Sequence, residues 1–149
     1  MIRLIGYGNP GRGDDGLGPA FAARMGDVPG VVVSTDYQLT VDHALWIAEA
    51  EQVVFVDALI RSDAPFEFAP VVPSDRHDVT SHSLSPAAVL ALSGTLFGAT
   101  PEAFVLGITG YEFGEVKEGL SARAEENLRL ALAFFDDWLV RSNGGFAHA

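Results

Sequence analysis

The stretch GYGNPGRGDDGLG, residues 6–18, decides the fold of this chain because it joins two patterns of different period. An apolar run, residues 2–5, comes directly before it. After it, apolar side chains recur at Leu17, Phe21 and Met25, which is the spacing of one face of a helix. The stretch is therefore predicted to be a strand-to-helix turn, whose glycines let the backbone adopt positive φ and approach a neighbour closely.

Two adjacent acids, Asp14 and Asp15, give this turn a negative charge at the start of the helix. The helix dipole favours acids there, and one of them is explained by capping of the free backbone N–H groups. A single cap does not need two acids, so the second is available for chemistry. Because a negative turn suits a cation far better than a phosphate, the pair predicts that a metal or a proton is handled here.

The composition sets limits on the class of protein. With 149 residues, 48% hydrophobic and 19% charged, the chain is predicted to form one globular domain over residues 1–141, followed by a polar, disordered tail over 142–149. The net charge of −11 argues against nucleic acid or an anionic membrane as partner. Cysteine is absent, which excludes thiolate ligands and cysteine catalysis. We see neither a signal peptide nor a membrane-spanning run, and expect a cytoplasmic protein.

Apolar runs alternate with helical patterns along the chain, which predicts an α/β fold: a mostly parallel sheet of about five strands with helices on both faces. Ligands of such folds lie outside the carboxyl ends of the strands, and Asp15 and Asp57 both follow predicted strands. The predicted strands are 2–7, 31–34, 53–56, an edge strand at 66–68, and 104–108; the predicted helices are 17–25, 41–51, one that Ser85 caps with Pro86 in its first turn, and a last one with Ala124, Leu128, Ala131, Phe135 and Trp138 on its apolar face.

Residues 6–11 also match the dinucleotide-binding pattern GxGxxG, and Asp36 follows the second predicted strand. A dinucleotide site needs its third glycine inside an opening helix whose free N–H groups face the pyrophosphate. Here Pro10 and Gly13 prolong the loop, and the two acids follow directly. Nucleotide binding is therefore disfavoured.

Two further residues are candidates for the same site. Asp57 ends the buried run 53–56, where a strand-end turn acid is the ordinary interpretation. His82 precedes a predicted helix in the polar loop 74–83, where a histidine is more often a surface residue or a cap, and where His77 and Asp78 compete for its role. No function is assigned to the remaining histidines, His43 and His148.

Two carboxylates and one imidazole form an oxygen and nitrogen ligand set that suits zinc, nickel, iron or manganese. Three protein ligands with open positions are typical of a reactive metal site. Without a metal, the same three groups could perform acid–base chemistry.

On these residues the chain resembles the [NiFe]-hydrogenase maturation endopeptidases over nearly its whole length. Residues 6–18 resemble the opening signature of that family, GxGNxxxGDDGxG. The segments VVFVDA (53–58), SHSLSP (81–86) and GITGYEFGEVKEGLS (107–121) are similar to its later blocks. Two segments differ from the family's pattern: residues 37–40 read YQLT instead of carrying a glycine–threonine pair, and residues 58–65 lack a glycine.

The resemblance implies a three-layer α/β/α sandwich with a mixed sheet. It implies that Asp15, Asp57 and His82 contact a metal and that Asp15 and Asp57 are catalytic. The metal would be nickel, carried by the substrate rather than held as a permanent cofactor, and no nucleotide would be bound. The implied partner is a hydrogenase large-subunit precursor, from which the protease removes the C-terminal extension.

Two other functions stay open at the level of the sequence. The first is a Rossmann-like regulatory domain that binds a nucleotide or a metal and has no protease activity. The second is an acid–base hydrolase that uses the same cleft on a small amide.

Overall fold

A five-stranded sheet forms the centre of the protein. The computed structural model describes residues 1–74, 84–114 and 116–147, with side chains described as far as residue 142. The strands are β1 (Ile2–Tyr7), β2 (Val31–Asp36), β3 (Gln52–Leu59), β4 (Phe66–Pro70) and β5 (Glu102–Thr109). Their order in the sheet is β2-β1-β3-β5-β4.

The sheet is mixed but mostly parallel. β1 pairs in parallel with β2 and β3, and β3 pairs in parallel with β5. β4 pairs antiparallel with β5 and forms an edge, which confirms the edge strand predicted at 66–68. The predicted α/β architecture is thus confirmed.

Helices cover both faces of the sheet and complete three layers. The helices are α1 (Leu17–Arg24), α2 (Val41–Ile47), α3 (Pro86–Phe97) and α4 (Ala122–Ala147). α1 and α4 pack on one face, and α2 and α3 pack on the other. Across the ranges that the structure describes, no helix combines the length and apolarity needed to cross a membrane.

The side chains of β3 show how the two cores are divided. Val54 and Val56 are buried under α1 and α4, whereas Val53 and Phe55 are buried under α2 and α3. Successive residues of a strand point to opposite faces, so Asp57 continues the set that faces α2 and α3. The strand that packs the core therefore also directs this acid to one side of the sheet.

The ends of several elements differ from the sequence prediction. The helix predicted over 41–51 ends at Ile47, because tight turns bonded from Ala48 to Leu45 and from Ala50 to Ile47 lead the chain into β3. β2 extends beyond residue 34 to Asp36, where the side chains are polar but the backbone still pairs with β1. α4 continues beyond residue 141, through part of the segment 142–149 for which the sequence predicts a disordered tail.

Close backbone contacts bring α1 against the sheet at the end of β1. A Cβ atom on Gly18 would lie 2.5 Å from the carbonyl oxygens of both Tyr7 and Val56. A Cβ atom on Gly6 would lie 2.1 Å from the carbonyl oxygen of Gly18. Neither position has room for a side chain, so these glycines set the distance between α1 and the strands that carry the candidate site.

We predict that Gly18→Ala lowers the free energy of unfolding by about 1–3 kcal/mol, because the added methyl group overpacks against backbone that cannot rotate away. Gly26→Ala is the matched control, since its Cβ would meet nothing nearer than the Ala23 carbonyl oxygen at 3.6 Å. Urea unfolding of both variants measures the difference. Equal stability of the two variants would contradict the packing argument.

Candidate active site

The candidate site lies where the strand order of the sheet reverses. β1 has β2 on one side and β3 on the other, so the chain leaves β1 toward β2 and leaves β3 in the opposite direction along the sheet, toward β4. In open α/β sheets, ligands bind outside the carboxyl ends of the strands at such a point. The pairing of β1 with β3 runs as far as Gly6 opposite Val56, so Tyr7 and Asp57 come next on the two strands.

Asp57 is half-buried at this edge. The prediction that it follows its strand is wrong in detail, because β3 continues to Leu59 and pairs Asp57 with Gly107 of β5. Its carboxylate oxygen Oδ1 accepts a 2.7 Å hydrogen bond from the N–H of Ala58. On one side, β3 is paired with β5 as far as Leu59. On its other side, the pairing with β1 stops at Val56, so Asp57 has Tyr7 as its neighbour there.

The pKa of Asp57 is raised to about 6, so this carboxyl group gains and loses its proton close to neutral pH. Burial is the largest cause, and the negative charge of Asp15 adds to it. Hydrogen bonds from the Ala58 N–H and the Tyr7 hydroxyl act in the opposite direction. A carboxyl group whose pKa is raised toward neutrality by burial and a neighbouring charge is a candidate for acid–base chemistry.

Asp15 approaches Asp57 from the loop that follows β1. It lies in a short 3₁₀ turn, Gly13–Gly16, and its Oδ2 accepts a 2.7 Å hydrogen bond from the N–H of Asn9. Gly8 permits the close approach, because a Cβ atom there would lie 2.0 Å from the Asp15 carbonyl oxygen, at a φ of +138°. The charge of Asp15, carried by the loop after β1, acts on Asp57 near the end of β3, so the two acids are neighbours at the carboxyl edge.

Asp14 has a structural function that the sequence does not reveal. The expectation that Asp14 or Asp15 caps the following helix is wrong, because neither the 3₁₀ turn nor α1 has a side-chain cap. Asp14 is fully buried, and its carboxylate accepts hydrogen bonds of 2.7–3.0 Å from the backbone N–H groups of Tyr111, Glu112 and Ser121 and from the Ser121 hydroxyl. It joins the first loop to the connection between β5 and α4.

The pKa of Asp14 is lowered, although burial, the largest single effect, acts to raise it. The backbone N–H groups of Ser121, Tyr111 and Glu112, with the Ser121 hydroxyl, together outweigh burial and favour the ionised form. The two neighbouring acids of the opening stretch are therefore in different environments. Asp14 is occupied by hydrogen bonds, and Asp15 is the one that faces the second acid.

We predict that Asp14→Asn lowers the free energy of unfolding at pH 7 by roughly 2–4 kcal/mol, because an amide cannot accept four hydrogen bonds and brings its own N–H donors to the donors around it. The folded pKa of Asp14 lies below its ordinary value of 3.8. The stabilising effect of the carboxylate is therefore present above that value and is lost as the pH falls through the folded pKa. Urea unfolding should show the wild type and the variant converging in acid. An exposed acid, Asp27→Asn, serves as control.

For Asp57→Asn we expect the opposite effect on the free energy of unfolding, namely an increase at neutral pH. The folded pKa of about 6 lies above the ordinary value of 3.8, so the stability that the protonated form contributes is complete below 3.8 and is lost as the pH rises through 6. The variant should be more stable than the wild type by roughly 1–2 kcal/mol above pH 7, after allowance for partial exposure, and nearly equal to it at pH 4. A stability difference that does not change between pH 4 and pH 8 would contradict this account.

His82, the third predicted ligand, lies outside the described residues, as do His77 and Asp78. The chain on its C-terminal side is described. Leu84 donates its N–H to the Leu39 carbonyl oxygen at 3.2 Å, and the hydroxyl of Ser85 accepts from the Ala88 N–H at 3.1 Å, which confirms Ser85 as the cap of α3. Within residues 1–74, 84–114 and 116–147, no group of three acidic or histidine side chains that could hold a metal ion is present.

Tyr7 is the neighbour of Asp57 that sequence reasoning missed. Burial and the negative charge of Asp57 raise the pKa of its hydroxyl, and the hydroxyl interacts with that carboxylate as a hydrogen-bond donor. The available signal was its position: Tyr7 ends β1 on the same face as Ile5, next to the strand that carries Asp57. The sequence alone does not show that β1 lies beside β3, so it could not link Tyr7 to Asp57.

Solved structures with a similar fold cover nearly the whole chain. The hydrogenase maturating endopeptidase HybD from E. coli aligns with a TM-score of 0.77 at 19% identity, over 97% of this chain and 94% of that one. The [NiFe] hydrogenase maturation protease HycI from Thermococcus kodakarensis aligns with a TM-score of 0.67 at 26% identity, over 90% and 89% of the two chains. The endopeptidase HycI from E. coli aligns with a TM-score of 0.68 at 21% identity, over 93% and 90%.

The chain has the fold of the hydrogenase maturation endopeptidases. The resemblance predicted from the opening stretch and the three later blocks is confirmed by these structures. A scan against protein-family models gave no match, and a search of curated proteins also gave no match. In this maturation-endopeptidase fold, the two acids lie at the carboxyl edge where the strand order reverses.

Proposed function

We propose that this protein is a maturation endopeptidase that removes the C-terminal extension of a [NiFe]-hydrogenase large-subunit precursor. One observation carries the proposal: in a fold shared with hydrogenase maturation proteases, Asp57 and Asp15 meet at the strand-order reversal. Folds alone host many functions, so the site must support the chemistry. The acid pair does so, since it combines a raised pKa with a neighbouring like charge.

The finer proposal is that Asp15, Asp57 and His82 contact nickel that is bound in the substrate. The mutual repulsion of two carboxylates is unfavourable in the free enzyme, and a divalent cation between them would relieve it. Carboxylate and imidazole donors suit nickel. In this proposal the nickel belongs to the precursor and identifies one that has already received its metal.

Two routes to peptide hydrolysis are compatible with this arrangement. One of the carboxylates could activate water as a general base. Alternatively, the nickel could polarise the scissile carbonyl. In both routes, docking of the folded precursor would bring one peptide bond to the cleft, and that proximity supplies a large part of the rate.

The geometry does not favour the dinucleotide-binding alternative. Gly11, the third glycine of the GxGxxG pattern, precedes a 3₁₀ turn at Gly13–Gly16, and α1 begins only at Leu17. The acids of that turn occupy the chain between the glycine and the helix. A phosphate would therefore meet negative charge where a dinucleotide site presents free N–H groups.

The test is incubation of the protein with a nickel-loaded large-subunit precursor and with its nickel-free form, followed by intact-mass analysis. We expect release of a C-terminal fragment from the loaded form only. Cleavage of both forms would leave a protease without nickel gating, and cleavage of short peptides in the absence of any large subunit would favour the small-amide hydrolase. No cleavage of several loaded precursors would count against the proposed function.

We predict that Asp57→Asn and Asp15→Asn each abolish processing while the protein stays folded, because each removes a carboxylate from the proposed nickel contact. His82→Ala should have the same effect. The matched control is Asp27→Asn, an exposed acid in the connection between α1 and β2, which should cleave at the wild-type rate. Full activity of Asp57→Asn, measured by the same mass analysis, would overturn the assignment.

A further inference from the structure

The backbone on either side of Tyr7 is held in place by close packing. A Cβ atom on Gly6 would lie 2.1 Å from the Gly18 carbonyl oxygen, and one on Gly8 would lie 2.0 Å from the Asp15 carbonyl oxygen. Both contacts are made with backbone atoms of α1 or of the 3₁₀ turn, which do not rotate away as side chains do. The backbone of Tyr7 therefore lies between two glycines whose close packing restricts their movement.

The ring of Tyr7 is also anchored. It is half-buried and packs against the core cluster under α2 and α3, on the face of β1 that carries Ile5. Asp57 follows Phe55 on the same face of the adjacent strand, one step beyond the pair Gly6–Val56. Tyr7 and Asp57 are thus neighbours on one face of two adjacent strands, and the Tyr7 hydroxyl interacts with the Asp57 carboxylate as a hydrogen-bond donor.

We propose that Tyr7 is a positioning residue, whose hydroxyl holds the Asp57 carboxylate in the orientation in which it meets the substrate's nickel. The inference rests on the proposed function. Asp57 Oδ1 accepts the Ala58 N–H at 2.7 Å, so the Tyr7 hydroxyl is a second donor, supplied by the neighbouring strand. A carboxylate offers about four lone-pair sites, so two donors fix its plane and leave sites for a metal or water. Carboxylates that bind metals are commonly held by such outer hydrogen bonds.

The chemistry of the two groups is complementary, because a phenol hydroxyl can donate one hydrogen bond and an ionised carboxylate can only accept.

The test is the kinetics of Tyr7→Phe with a nickel-loaded precursor. The variant keeps the anchored ring and loses only the donor, so we expect kcat to fall about tenfold or more while KM changes by less than about twofold. The control is Tyr111→Phe, which also loses a hydroxyl hydrogen bond, in this case the 2.9 Å bond with the Asn127 side chain, and should keep the wild-type kcat. A wild-type kcat for Tyr7→Phe overturns the proposal, and so does a change confined to KM, which would indicate a docking contact.

A second measurement separates failure of this inference from failure of the proposed function. Urea unfolding midpoints of Tyr7→Phe, Asp57→Ala and the double variant form a cycle that needs no substrate. Non-additive effects are expected, because each single substitution removes the same contact. Additive effects overturn the inference even if the wild type processes a precursor. If the wild type cleaves no loaded precursor, the proposed function fails, and the cycle still decides whether Tyr7 holds Asp57.

Discussion

The buried carboxylate of Asp14 is the interaction on which the carboxyl edge of the sheet depends. It collects hydrogen bonds from Tyr111, Glu112 and Ser121, which lie about a hundred residues further along the chain. The Ser121 hydroxyl that donates to Asp14 also accepts the N–H of Ala124 at 3.2 Å, so the same contact fixes the start of α4. With this loop held on both sides, the neighbouring residue Asp15 has a defined position opposite Asp57.

The three acids of this edge show how environment separates residues of the same chemistry. Asp14 is buried among donors and remains ionised, whereas burial and the charge of Asp15 raise the pKa of Asp57 to about 6. An acid that is partly desolvated beside a like charge makes the fold less stable at neutral pH. The apolar packing of the two cores, on the two faces of the sheet, offsets this loss of stability. Groups with unfavourable electrostatics of this kind are common at the functional sites of proteins.

Much of the fold could be predicted from local patterns. The amphipathic spacing of α4, the cap at Ser85 and the edge strand β4 all depend on residues within a few positions of one another. Predictions failed where distant pairing decides. The apolar pattern of residues 41–51 predicts a helix over the whole segment, but the helix ends at Ile47 and the backbone then turns to enter β3. β3 likewise continues past Asp57, because β5 extends beyond the end of β1.

The sequence by itself determined the architecture and the candidate acids. An apolar run, a glycine-rich acidic turn and a helix pattern lie next to one another in the chain, and their periods and backbone requirements are local properties. Only the tertiary structure decided which of the two adjacent acids is structural and which faces Asp57, and that Tyr7 lies beside that acid. The reason is physical: burial, hydrogen-bond donors and neighbouring charges come from segments that the strand order brings together, and no spacing along the chain specifies them.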